Sequence, residues 1–302
     1  VTDEPAAGPA PAFGGASSPW ILWDGELREA GSVGVSPLDR TVLYGLGAFE
    51  TVRLFAGRPF LIARHLERLR RSLASLGLAS PRGLSGLPAD VEALARRAGR
   101  PSALARITAT AGPVGGGPAG GHLYALLRAV PPRPAAGAVR VGVVPFAHEG
   151  RSPVAGVKST SYLVHYLLRE RAEAEGRYED LMVDESGEVR EGTVSNVFAV
   201  CSGRLLTPPL EAGVLAGVTR GLALELAAGL DVPAEERALT LAQLAGADEV
   251  FLTGAGKGLV GVDELVGHGR YGDARPVTTA LRAALAARVA AECGVAPREV
   301  DV

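Results

Sequence analysis

The chain writes its positive charge almost entirely as arginine: of 31 basic residues, 29 are Arg and two, Lys158 and Lys257, are Lys. The two residue types are interchangeable as solvated charges but not as reagents. A guanidinium stays protonated, whereas an amine loses its proton once burial or a neighbouring cation lowers its pKa, and can then form a Schiff base with an aldehyde. A lone surviving lysine is most simply a surface charge. Lys158 is distinguished by its place in the chain. It precedes Ser159, Thr160 and Ser161, three candidate N-caps for a helix expected from about Tyr162 to Glu175. A loop-to-helix junction is a usual position for a side chain that must face a ligand.

Three further features suit an aromatic, phosphorylated ligand, and each has an ordinary reading beside it. Glu191 lies in a strand-like stretch with Gly192, Val194, Val197 and Phe198. It is either an exposed edge charge or a partner for something basic, such as a pyridine nitrogen that a carboxylate keeps protonated. Gly217-Val218-Thr219 opens a helix. It is either an ordinary capped start or a set of free N–H groups and a hydroxyl for a phosphate. Arg64 and Arg68 sit one turn apart on an amphipathic helix, where most arginines are solvated but either could hold a phosphate.

The elements that must position these groups follow from periodicity. Trp20–Trp23 followed by Asp24-Gly25 reads as a strand and hairpin turn, and residues 43–55 as a loop entering a strand. Leu66, Leu69, Leu73 and Leu76 recur at helical spacing over 61–78, a segment closed by Gly77 and Pro81. A second helix is expected over 88–99, strands over 103–111 and 123–130, and a Pro-rich linker over 131–137. After it come a strand over 139–146, the helix after Lys158, short strands between 180 and 207, and a helix from 215 to about 230. A strand over 249–253 and a last helix over 277–293 complete the pattern. This is an α+β chain, with a tail (1–18), a smaller N-terminal domain (19–130), the linker and a larger C-terminal domain (138–302).

Composition narrows the function class. With 47% hydrophobic and 21% charged residues the chain is globular, and a net charge of −2 gives no basic field for nucleic acid or a membrane surface. Cys201 and Cys293 lack metal or disulfide spacing, and five scattered histidines form no ligand pattern, so no metal is expected. The Ala/Pro/Gly-rich start lacks the charged and apolar regions of a signal peptide, and no apolar run spans a bilayer, so a cytoplasmic protein is expected. The Gly-rich stretch around Lys257 is not a P-loop. Phe251 stands where the first glycine is required, and Gly258 where Ser or Thr is.

Six motifs occur in order between Trp20 and Val266. They are Y-G-x-G-x-F-E-T-x-R (Tyr44–Arg53), H-L-E-R (His65–Arg68), K-S-x-x-Y (Lys158–Tyr162), E-G-T-x-S-N-x-F (Glu191–Phe198), L-x-G-V-T-R (Leu215–Arg220) and D-E-x-F (Asp248–Phe251). Together they resemble the class IV, fold-type IV pyridoxal-phosphate enzymes, which include branched-chain and D-amino-acid aminotransferases and aminodeoxychorismate lyases. The resemblance implies two domains with mixed or antiparallel sheets, an active site between them, pyridoxal 5′-phosphate as cofactor and a homodimer. It implies that Lys158 carries the cofactor aldehyde and moves the α-proton, that Glu191 pairs with the pyridine nitrogen, and that Arg68, Val218 and Thr219 hold the phosphate. Tyr162 would lie beside the cofactor. Tyr44, Phe49, Arg53 and Arg106 would lie near the substrate, some reaching across the dimer.

The branch within the family is read from four departures. Thr110-Ala111-Gly112 replaces the T-R-G stretch of D-amino-acid enzymes, and Gly254–Leu259 lacks the T-x-x-E of many aminotransferases, nearer to lyases. Arg106 falls where branched-chain enzymes keep a pocket arginine, yet the E-G-T-x-S-N form is more typical of the other two groups. On this reading branched-chain specificity is the least expected. An aminotransferase acting on small amino and oxo acids and a lyase that makes p-aminobenzoate and pyruvate are nearly even.

Overall fold

The structure is a computed structural model that describes residues 18–116, 120–132, 139–145, 152–300 and 302. Most of the expected linker therefore lies outside the described residues, as does nearly all of the N-terminal tail.

The first half builds one six-stranded sheet of β1 (Trp20–Trp23), β2 (Glu26–Glu29), β3 (Gly47–Phe55), β4 (Arg58–Pro59), β5 (Ala103–Thr110) and β6 (Leu123–Arg128). The order is β2-β1-β6-β5-β3-β4, and each neighbouring pair is antiparallel. The β1–β2 hairpin turns at Asp24 and Gly25, both at positive φ (49° and 93°), the conformation a tight right-twisting hairpin requires. Alternation in β5 and β6 sends Ala103, Ala105, Ile107, Leu123, Ala125 and Leu127 to one face. There they pack on α2 (Ile62–Ser75) and α3 (Leu87–Ala98) through Leu66, Leu69, Leu73, Val91 and Leu94. Leu104, Arg106, Leu126 and Arg128 are left on the opposite, half-buried face. A short helix, α1 (Arg40–Tyr44), precedes β3 where the sequence suggests only loop. Asp39 caps it by accepting from the Thr41 N–H at 2.8 Å.

The second half holds two sheets. One consists of β7 (Arg140–Pro145), β8 (Glu179–Val183), β9 (Glu188–Gly192), β13 (Leu239–Thr240), β16 (Glu264–Leu265) and β17 (Gly269–Arg270), in the order β13-β9-β8-β7-β16-β17. The other consists of β10 (Asn196–Cys201), β11 (Arg204–Thr207), β12 (Ala234–Glu236), β14 (Glu249–Gly254) and β15 (Gly258–Gly261), in the order β12-β11-β10-β14-β15. Val141, Leu181, Val197, Leu206, Val250 and Leu252 belong to the core cluster shared by the two sheets. Phe198 and Phe251 stack in a second cluster with Leu222 of α5 (Val218–Gly229) and Leu281, Leu285 and Val289 of α7 (Pro276–Cys293). Between those two helices, the short α6 (Leu241–Ala245) is opened by a capping box of Thr240 and Gln243. Phe55 and Leu61 from the first half enter the second cluster. Mixed sheets and helices in two blocks give the α+β class expected. Among the described residues no helix is long and apolar enough to cross a membrane.

One expected cap is corrected. Helix α4 (Leu163–Ala174) has Tyr162 as its N-cap, with no side-chain cap bond. Thr160 Oγ1 and Ser161 Oγ instead donate to the Gly45 carbonyl at 2.6 and 3.2 Å, tying the end of α1 to the segment after Lys158.

Candidate active site

A cavity of about 910 Å³ lies between the first sheet and the second half of the chain. Lys158 reaches its wall from a segment zipped to the start of β3. The Phe49 N–H donates to the Lys158 carbonyl at 3.0 Å, and Ala48 and Ser159 form an antiparallel bridge. The Lys158 Nζ lies 4.6 Å from the Phe49 ring centroid and 5.7 Å from that of Tyr162. Burial, followed by the positive Arg68 guanidinium, brings the Lys158 ammonium down to about 8. Roughly a tenth of the amine is then neutral at pH 7, against well under a thousandth for an ordinary lysine.

Tyr162 is held from two sides. Phe49 meets its ring edge-on at 5.2 Å, and His165 of α4 stacks on it at 4.8 Å. The Tyr162 hydroxyl (3.4 Å) and His165 Nδ1 (2.9 Å) both donate to the Thr193 carbonyl. Burial pushes the Tyr162 phenol above its ordinary range, so it remains a donor.

Two buried carboxylates, Glu191 in the cavity wall and Glu179 behind it, behave oppositely. Glu191, on β9, accepts from Asn196 Nδ2 at 3.1 Å and from the Leu215 N–H at 3.1 Å, and among the described residues it forms no ion pair. Burial raises its carboxyl to about 7 despite the Leu215 bond and the Lys158 charge. Glu179, on β8, is completely buried yet held below its ordinary value, because Lys257 and Arg169 outweigh the burial. The Lys257 Nζ is 2.5 Å from Glu179 Oε2, and Arg169 Nη1 is 3.6 Å from the same oxygen. Glu179 also accepts from the Val194 N–H at 2.6 Å and from Ser195 Oγ at 2.9 Å, fixing the segment that leads to Asn196. Lys257 is therefore neither a solvated loop charge nor a spare reagent: it neutralises Glu179. Replacing Lys257 with methionine is expected to destabilise the fold by about 2 kcal/mol. That is below the usual 3–5 for a broken buried pair, because Arg169 remains. Denaturant unfolding measures it.

A third group of residues brings hydrogen-bond donors without acceptors to the cavity. The Val218 and Thr219 N–H groups open α5 and have no acceptor among the described residues. Gly217 is the N-cap, so Thr219 is the second helical residue and not the cap. A Cβ at Gly217 would stand 2.0 Å from Asn196 Oδ1, so the helix start can rest on Asn196 only as glycine. Arg68 also lines the cavity. Its Nε and Nη2 each donate to Glu50 at 2.7 Å and its Nη1 to the Ala216 carbonyl at 2.9 Å, leaving two N–H bonds unspent. His65 Nδ1 meets Glu50 Oε2 at 2.7 Å. Burial alone would raise the Glu50 carboxyl, but the Arg68 and His65 bonds outweigh it and hold it at about 2. Burial keeps His65 neutral, its pKa below the ordinary value.

Of the residues singled out from the sequence, Lys158, Tyr162, Glu191, Arg68, Val218, Thr219, Phe49 and Arg106 all line this cavity. Arg53 does not. It has the strand parity of Phe49 and Thr51, but its guanidinium is taken up at the far end of β3. There its Nη1 donates to the Leu54 carbonyl at 2.8 Å and to Ser102 Oγ at 3.0 Å, and it lies over the Phe55 ring. Tyr44 is 69% exposed at the end of α1 and is also outside the cavity. Sequence reading missed Glu50 as the anchor of Arg68, Glu179 as the partner of Lys257, and His165. Glu50 carried a usable signal, since Glu50 and Arg68 both stand in the six motifs.

This arrangement fits pyridoxal phosphate. An amine with a depressed pKa, a buried carboxylate whose partners are neutral and a helix N-terminus with free N–H groups face one cavity. They match an aldehyde, a basic ring nitrogen and a phosphate respectively.

Comparison with known proteins shows the family. A family model described as amino-transferase class IV matches residues 47–265. A putative branched-chain-amino-acid aminotransferase of Methanocaldococcus jannaschii is 32% identical over 255 residues, covering 82% of this chain and 88% of that one. The structure of a branched-chain aminotransferase from Thermoproteus uzoniensis with norvaline superposes with a TM-score of 0.81 at 27% identity, covering 92% of this chain and 96% of the other. The crystal structure of the Escherichia coli branched-chain amino acid aminotransferase gives 0.78 at 26% identity, covering 89% and 93%. These relatives separate the two branches the motifs left nearly even, and the lyase is not favoured. The E-G-T-x-S-N segment, Glu191 to Asn196, lines the cavity throughout. The chain belongs to the class IV aminotransferase family and is an enzyme, a transaminase of small-molecule amino and oxo acids.

Proposed function

We propose that this transaminase works through Lys158, with pyridoxal 5′-phosphate held by Glu191, Tyr162, Arg68, Val218 and Thr219. The observation that carries the reading is the pairing of a Lys158 amine brought down to about 8 with a buried Glu191 that has only neutral partners. When bound, the cofactor supplies an aldehyde that captures amines and a ring that accepts electron density. Lys158 would provide the neutral amine that holds the aldehyde, and the same amine would take the proton from the substrate carbon and return it. Glu191 would keep the ring nitrogen protonated. The Val218 and Thr219 N–H groups and the two unspent Arg68 N–H bonds would hold the phosphate, with Glu50 and His65 fixing the guanidinium. Tyr162, clamped by Phe49 and His165, would help to hold the ring. The 19–130 and 138–302 domains would close over the substrate between them. Supplying the protein with cofactor, a panel of amino acids and a 2-oxo acid should give the oxo acid of the donor. If no donor yields it, the reading fails.

The same reading includes a homodimer. Val42, Leu43 and Tyr44 of α1 and Leu163, Val164 and Leu167 of α4 are exposed apolar residues on segments tied together through Gly45. Exposed apolar residues grouped on tied segments are of the kind that marks an interface, and a partner would bring its own Tyr44 near the site. Replacing Leu167 with aspartate is expected to yield monomers by light scattering and to lower activity. A dimer that persists argues for another interface.

A further inference from the structure

Arg68 brings no net charge to the phosphate proposed for it. Its Nε and Nη2 are both taken by Glu50, a carboxylate that is fully buried and, held at about 2, ionised near neutral pH. The guanidinium and the carboxylate cancel. Lys158 is committed to the aldehyde in the same reading. What α5 adds is the partial charge of a helix N-terminus, about half an elementary charge. A phosphate monoester carries about −1.5 to −2 at pH 7. Such an anion would leave most of its charge uncompensated in a site removed from water, which is costly unless a cation joins it.

His65 is placed to be that cation. It stands three residues before Arg68 on α2, and only 2% of it is exposed. Its Nδ1 meets Glu50 Oε2 at 2.7 Å. An ionised carboxylate only accepts, so Nδ1 carries the hydrogen, and in the neutral ring Nε2 is a bare lone pair. Among the described residues Nε2 has no hydrogen-bond partner. His65 lines the main cavity, and with Val218 and Thr219 it also lines a second pocket of about 20 Å³. A pocket of that size holds about one water, so the imidazole and the start of α5 are near neighbours. The charged groups acting on the ring are Glu50 of β3, Arg68 of its own helix and Lys158 across the cavity. Arg53 also lines the small pocket, with its Nη1 spent on the Leu54 carbonyl and Ser102 Oγ. Burial outweighs Glu50 and keeps the ring neutral until an anion arrives. We propose that His65 is a phosphate ligand that becomes charged on binding. When the cofactor phosphate enters beside Val218 and Thr219, one proton passes from solvent to His65 Nε2, which holds it in a hydrogen bond to a phosphate oxygen. Glu50, the imidazolium and the phosphate then form one line of charge-assisted hydrogen bonds, and no covalent bond changes. Cofactor loading thus consumes a proton. The inference rests on the cofactor reading above and adds a titrating residue to it.

The test uses 4-deoxypyridoxine 5′-phosphate, which lacks the aldehyde and so cannot condense with Lys158. Calorimetry at pH 8 in buffers of different ionisation heat counts the protons taken up on binding. In H65N the side-chain amide can still donate to Glu50, but the second nitrogen is gone. The wild type should take up about one proton more than H65N, and its affinity should fall by about tenfold more per pH unit between pH 7.5 and 8.5. A second measurement needs no variant. In wild-type protein labelled with nitrogen-15 histidine, one imidazole nitrogen should move from the bare to the protonated position when the ligand binds. The phosphorus resonance of the bound ligand should be that of a dianion, since the proton resides on nitrogen. Equal proton counts in the two proteins, no imidazole that gains a proton, or a phosphorus resonance of the monoanion would each overturn the inference and leave the cofactor reading standing. If the ligand does not bind the wild type, the cofactor reading fails and this inference fails with it.

Discussion

Lys158→Ala and Lys158→Arg variants are expected to lose about 10²- to 10⁴-fold in kcat, the range for removing a positioned proton-transfer group. The arginine variant is the sharper test, because it keeps the charge and most of the length but not a proton that can leave. A purely structural role for Lys158 would spare it. The amine itself can be followed apart from turnover. Only the neutral form attacks an aldehyde, and burial places its pKa at about 8. The rate at which apoprotein takes up pyridoxal phosphate should therefore climb about tenfold per pH unit below 8 and level off above it. Neither variant should acquire the absorption of a lysine-bound cofactor. A loading rate still rising steeply at pH 10 would mean that Lys158 is an ordinary solvated amine.

Glu191→Gln should separate function from stability. Glutamine can place one oxygen where Glu191 Oε2 now accepts from Asn196 and Leu215, so the local bonds survive. What is lost is the carboxylate proposed to keep the ring nitrogen protonated. Turnover should fall by roughly 10²- to 10³-fold, as when a single electrostatic contact to the reacting system is removed. The apoprotein should move the other way. Glu191 holds its proton more tightly when folded, at about 7 against an ordinary 4.5. Its contribution to stability is thus fully present below about pH 4.5 and is lost as pH rises through 7. Glutamine carries no such charge, so the variant should gain on the wild type across that window. By pH 8 it should have gained about 3 kcal/mol on the wild type relative to pH 4.5. Melting curves of both apoproteins from pH 5 to 8.5 measure the gap. A gap that closes with rising pH would show that the buried carboxylate is already paired.

These expectations draw on residues of unequal legibility. The α2 face was readable because Leu66, Leu69 and Leu73 repeat at helical spacing, and the β1–β2 turn because Asp24-Gly25 allows positive φ at both positions. Such signals are local. Lys158 and Glu191 were readable because lysine is scarce in this chain and because Glu191 sits in a dense motif. The role of Lys257 was not, since its partner Glu179 lies 78 residues away and only the fold brings the two together. Arg128 gave no signal either: a charge alternating with apolar residues at the end of a strand looks like a solvated edge, and only the β5–β6 register turns it into the cavity. The failed caps at Thr160 and Ser161 have a similar cause. Their hydroxyls had a nearer use, the Gly45 carbonyl, contributed by a short helix the sequence did not reveal. Arg53 was misplaced because a motif fixes its spacing from Phe49 but not where its long side chain ends. The even spacing along β3 matches Phe49, yet the hydrogen bonds to Leu54 and Ser102 hold the guanidinium away from the cavity.

The assignment of the chemistry to Lys158 is tested most directly by borohydride. The protein loaded with pyridoxal phosphate should be yellow, and reduction should fix the cofactor irreversibly to one lysine. Only two lysines exist in the chain, so a peptide digest gives an unambiguous site. Label on the peptide containing Lys158, absent from the Lys158→Ala variant, is the expected result. Label on Lys257 alone, or a protein that stays colourless with excess cofactor, would contradict the account.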